Sequence, residues 1–174
     1  AEVSLSSPLQ GLALDLPAAR SLLAGTIGPM SPVFDACEHA ATGDWSAASS
    51  LFEQGLKALR QLSGARRSML GPELSRIHVI SLLAQDDPKA WAAARKFCIA
   101  ESGSRNPSPH EGWGRWAHVI GARLGEAALD DEALAYHPAL EMRADSNHSY
   151  GAADRLLLAA WSGKDGPGWT AAAA

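Results

Sequence analysis

Chemistry on this chain would have to come from six histidines, two cysteines and one aromatic cluster. The histidines are His39, His78, His110, His118, His137 and His148. Zinc and di-iron sites need donors that return to one face, as His-Glu-x-x-His, Cys-x-x-Cys and Glu-x-x-His do. None of these patterns occurs, and no metal or other cofactor is expected. His137 and Glu141 are four residues apart, but Pro138 between them disturbs a shared helical face, and the two read as a surface pair. His110 and Glu111 read as a helix start, where a carboxylate complements the dipole. The chain has no Gly-x-Ser-x-Gly elbow, no Gly-x-Gly-x-x-Gly and no Walker loop. Cys37 and Cys98 each lie in an apolar helical stretch and read as buried free thiols, not as nucleophiles.

The densest cluster is Glu111-Gly112-Trp113-Gly114-Arg115-Trp116-Ala117-His118. Trp113 and Trp116 share a helix face, with Arg115 and His118 nearby, and two readings stand. A paired indole wall beside Arg and His suits an anionic or aromatic ligand, or a partner's hot spot. Equally, two tryptophans at helical spacing are core, and the glycines allow close helix contact. Asn147-His148-Ser149-Tyr150 is explained by an N-cap at Asn147 or Ser149. Arg66-Arg67 reads as a solvated turn.

The elements that must position these groups follow from composition and spacing. A chain of 174 residues with 47% apolar and 20% charged residues has the make-up of a soluble globular domain. Its net charge of −4 offers no footprint for nucleic acid. No window reaches the roughly 18 apolar residues of a membrane span. No leader is visible, so a cytoplasmic location is expected. The start at Ala1 leaves export after loss of a signal peptide open.

Apolar residues recur at helical spacing throughout, and almost no run alternates with period two, so no sheet is expected. Ser31 and Pro32 open a helix that Thr42-Gly43 closes. Asp44 caps the next, which carries Leu51, Phe52, Leu56, Leu59 and Leu62. Ser63–Gly71 reads as a loop, and Pro72–Ala84 as a helix. Asp87-Pro88 then starts a helix running to about Ser102. A further helix is expected from about Pro109 to Ala127, and a partner from Asp130 that stops near His137.

Beneath these elements lies a period. Asp44, Asp87 and Asp130 stand 43 residues apart, each followed three residues later by Ala47, Ala90 or Ala133. Phe34, Ile77 and Ile120 precede them by ten residues, and Ala36, Val79 and Ala122 by eight. Stacked helix–turn–helix units produce such periods, because one hairpin cannot bury its own apolar face. The run Ala41-Thr42-Gly43-Asp44-Trp45-Ser46-Ala47-Ala48-Ser49-Ser50-Leu51-Phe52 resembles the inter-helix turn of tetratricopeptide-type repeats. Residues 79–98 and 122–140 resemble it more faintly, about two and a half degenerate units in all. The period departs from that family's typical length of about 34 residues, and its Trp-Leu-Gly-Tyr elements are missing.

The expected fold is therefore all-α, with about seven or eight helices as antiparallel hairpins stacked in a short α-solenoid or irregular bundle. It forms a single domain over residues 1–170: an arm and short helix in 1–30, three degenerate hairpins in 31–145, and a capping helix in 146–162. Residues 163–174 form a tail. The resemblance implies a non-catalytic module (adaptor, regulatory or immunity-type) whose partner is another protein or peptide. If the first helix of each hairpin lines a concave side, Asp35, Glu38 and His39 set an acidic end. Arg76, His78, Arg115, His118 and Arg123 set a basic one. The candidate partner-binding residues are Asp35, Glu38, Arg76, His78, Trp113, Arg115, Trp116 and His118. The alternative is a small all-α enzyme or ligand-binding protein with its pocket near Trp113, Trp116 and His118; no catalytic residue can be assigned.

Overall fold

The computed structural model describes residues 31–61, 64–106 and 112–126, with Ser108, Ala128 and Leu158, and for 65–69 the backbone alone. Five helices are described: α1 (Ser31–Ala41), α2 (Trp45–Leu59), α3 (Gly64–Leu83), α4 (Pro88–Glu101) and α5 (Gly112–Arg123). No strand occurs among the described residues, so the all-α expectation holds for them. The chain divides into two compact units, Ala1–Asp86 and Asp87–Ala174. In the first, α1 packs on α2 and α2 on α3; in the second, α4 packs on α5. The expected segment 1–30, the helix from Asp130 and the tail lie outside the described residues. So does the capping helix, apart from Leu158, which is helical and fully buried.

Local signals close and open these helices as the sequence suggests. At the end of α1, Gly43 takes φ +81°. Its N–H donates to the Ala40 carbonyl at 3.1 Å, and that of Asp44 to the His39 carbonyl at 2.9 Å. This is the Schellman arrangement, which satisfies two carbonyls a helix end would otherwise leave exposed. Asp44 then starts α2, its carboxylate accepting from the Ala47 N–H at 3.1 Å. One period later, Asp87 caps α4 by accepting from the Lys89 N–H at 3.0 Å, with Pro88 at the permitted first position. Asp86 occupies the place of Gly43 in this second turn, and its φ is also positive, at +50°.

The core of the first unit is Ala36, Cys37 and Ala40 from α1, Ala48, Phe52 and Leu59 from α2, and Leu74 from α3. Small residues meet on the α1–α2 side, and Gly55 of α2 comes close to Val33 of α1. A Cβ there would lie 2.6 Å from Val33 Cγ2, well inside contact distance. Ala47, three residues after the capping aspartate, is only half-buried, whereas its neighbour Ala48 is completely covered.

The loop expected over Ser63–Gly71 is helix from Gly64 onward. α3 begins at Gly64 and carries Pro72 inside it. Proline costs an interior helix a hydrogen bond and strains the preceding turn, which is why it reads as a start. Tertiary burial wins here, since Leu70 and Leu74, one turn apart, both pack on the core. The residues before Pro72 are also mostly good helix formers. Arg66 and Arg67 thus stand on helical backbone, not in a turn.

In the second unit, Ala90, Trp91, Ala94 and Cys98 of α4 and Trp116, Ala117, Val119 and Ile120 of α5 are buried. The α5 helix ends at Arg123, short of the expected Ala127. Gly125 takes φ +77°, and the N–H of Glu126 donates to the Gly121 carbonyl at 3.0 Å. This is the same glycine cap that ends α1, and it stops the helix before its apolar pattern does.

Candidate functional site

The α5 cluster is built from the helix that starts at Gly112. Trp113 and Trp116 lie 6.1 Å apart, ring centroid to centroid, tilted by 49°. Trp113 also meets Phe97 of α4 edge-on at 6.1 Å and 84°, an arrangement that aromatic quadrupoles favour. Trp116 is 1% exposed and Arg115 3%, while Trp113 and His118 are half-buried. The indoles of this pair are thus engaged in joining α5 to its surroundings, and Gly114 is buried with them.

Two arginines tie the same helices together further along. Arg95 of α4 reaches Glu126 at 2.8 Å, its side chain passing over Gly121. A Cβ at Gly121 would stand 2.7 Å from Arg95 Nε, so the glycine makes the passage possible. Arg123 lies over the Trp91 ring, 4.9 Å from its centroid, an attraction of cation and ring face.

In the first unit the proposed acidic end stands on α1. Asp35, Glu38 and His39 are each half-buried. His39 Nδ1 is 3.2 Å from Asp44 Oδ2, so this imidazole braces the carboxylate that caps α2. On α3, Arg76 is half-buried, whereas His78 is buried. Burial holds the His78 pKa below the imidazole's ordinary 6.5, against the opposing pull of the Glu53 charge and a hydrogen bond to the Ser49 backbone.

Of the eight candidate residues, Asp35, Glu38, Arg76 and His78 lie in the first unit and Trp113, Arg115, Trp116 and His118 in the second. His78, Arg115 and Trp116 are buried within their units. Reasoning from sequence missed the polar group around Ser49, where Gln85 Nε2 donates to the Ser49 hydroxyl at 3.0 Å. The available signal was the spacing of His78, Ser81 and Gln85 along α3. Both cysteines are buried and neither forms a disulfide, as expected. Burial, and secondarily the Glu38 charge, raises the Cys37 pKa to about 11, so this thiol is no nucleophile. Among the described residues, no three His, Cys, Asp or Glu side chains gather to hold a metal, and no helix is long and apolar enough to cross a membrane. No protein-family model, curated protein or solved structure matches the chain.

Proposed function

We propose that this chain is a non-catalytic binding module for a protein or peptide, assembled from degenerate helical hairpins of the tetratricopeptide kind. The observation that carries this reading is the recurring turn. Positive φ at Gly43 and Asp86 is followed in each case by an aspartate N-cap, 43 residues apart in sequence. Repeat scaffolds preserve turn geometry and vary the residues between turns, which is how one architecture serves many partners. Partly exposed candidate residues stand in both units: Asp35, Glu38 and Arg76 in the first, Trp113 and His118 in the second.

The test is affinity capture from lysate of the source organism with wild type, Asp35→Lys/Glu38→Lys, Arg76→Glu and His118→Ala. Circular dichroism confirms that each variant is folded. The proposal expects a stoichiometric protein partner that at least one folded variant loses. It is overturned if no protein is retained and native mass spectrometry instead finds a bound small molecule that the His118→Ala variant loses.

A further inference from the structure

The α2–α3 contact contains a polar seam beside its apolar cluster. His78, Ser81 and Gln85 fall at positions i, i+3 and i+7 of one helical stripe that continues just past α3. The first and last of them, His78 and Gln85, reach Ser49 of α2. Gln85 Nε2 donates to the Ser49 hydroxyl at 3.0 Å, to the Ser81 carbonyl at 3.2 Å and, more loosely, to the Trp45 carbonyl at 3.5 Å. The Ser81 hydroxyl donates to the His78 carbonyl at 2.7 Å, and the imidazole hydrogen-bonds to the Ser49 backbone. His78 is 6% exposed and Ser81 1%.

The charges around the ring decide what a proton there would meet. Glu53 and Lys57 act on it from α2. They already hold each other at 2.8 Å, and both are exposed, so the carboxylate's pull on an imidazolium is shared and screened. On α3 itself, Arg76 is two residues before His78 and Glu73 five before, spacings that place both off the ring's face. Burial outweighs the favourable contacts.

We propose that this seam is an acid-sensitive joint: protonation of His78 loosens α2 from α3 and opens the apolar cluster of Phe52, Leu59 and Leu74. The folded state favours the neutral ring. The contact is therefore fully held above about pH 6.5 and weakens as pH falls toward the ring's lower value. Because the binding proposal does not enter this argument, either one can fail alone.

The experiment follows the His78 imidazole of the full chain by NMR from about pH 8 to 4.5, with amide hydrogen exchange at both ends of that range. The ring is expected to titrate below its ordinary value. Protection of residues 75–83, corrected for intrinsic exchange, should fall about tenfold for each pH unit of that depression. In His78→Gln the acid-induced loss should disappear. A ring that titrates at or above the ordinary value overturns the proposal. So does an equal loss of protection in the variant. Should His78→Gln fail to fold, the wild-type titration and the position of the lost protection decide the matter by themselves.

Discussion

Gly55→Ala tests the helix contact on which the first unit depends. The new Cβ would sit 2.6 Å from Val33 Cγ2 and 3.5 Å from Leu74 Cδ2. The second distance is ordinary contact; the first is about an ångström too short. Valine in a helix strongly prefers one χ1 rotamer, so turning the methyl away is costly. The other relief is for α1 to back away from α2, which would loosen Ala36, Ala40 and Ala48, all buried. Overpacking of this sort typically costs about 1–3 kcal/mol. Against it stands the gain of about 1 kcal/mol when alanine replaces glycine inside a helix. The net expectation is a loss of about 1 kcal/mol, or roughly 2–8 °C in Tm, depending on whether the unit unfolds alone or with the whole chain. Urea denaturation of Gly55→Ala, Val33→Ala and the double variant isolates the contact, with an expected coupling of about 1–2 kcal/mol in favour of the pair. Were Gly55→Ala stabilising and the coupling near zero, α1 and α2 would not approach at this point, and the description of the first core would be wrong.

Four further outcomes follow from single positions. Asp86→Gly should stabilise the chain by about 0.5–1 kcal/mol, because its φ of +50° suits glycine, whereas Gly43→Ala, at +81°, should cost about 1 kcal/mol; denaturant midpoints measure both. Phe52→Ala removes a side chain that is 1% exposed and should cost about 3–5 kcal/mol in the same assay, enough to unfold a marginal unit. The raised pKa of Cys37, about 11, makes its protonated form the one that fits the fold. The resulting stability is fully present below the thiol's ordinary 9.0 and is lost as pH rises toward 11, so Tm should fall over that interval in wild type and stay flatter in Cys37→Ala.

The end of α1 and the starts of α2 and α4 were legible in the sequence because their causes are local. Pro32, Gly43, Asp44, Asp87 and Pro88 each act within a few residues, through a fixed φ, a left-handed turn or a cap, and α1, α2 and α4 begin where these residues place them. The start of α3 was not legible. There a local signal, Pro72, is overruled by Leu70 reaching a core assembled from helices earlier in the chain. The exposure of the candidate residues was not legible from local signals. Whether a polar residue on a mixed helix points outward depends on what packs against that helix. Asp35 and Arg76 keep part of their surface exposed, while His78 and Arg115 do not.

The two aspartate-capped turns are more alike in backbone than in sequence. Gly43 and Asp86 share no side chain, yet both take a left-handed φ immediately before an aspartate cap. The Thr42 N–H donates to the His39 carbonyl at 3.2 Å, and one period on the Gln85 N–H donates to the Leu82 carbonyl at 3.4 Å. The first bond of each following helix also recurs, Ala48 to Asp44 and Trp91 to Asp87, each at 3.0 Å. A left-handed residue selects for glycine, asparagine or aspartate, and a cap for a short oxygen-bearing side chain. These requirements constrain the turn and leave the outer faces of the helices free to change. On the repeat proposed above, identity would drift until only Asp-x-x-Ala is visible, while the backbone of the turn is kept. Asp86→Gly bears directly on this: a gain in stability without loss of the Asp87 cap would mean that the turn, and not the residue, is what the chain repeats.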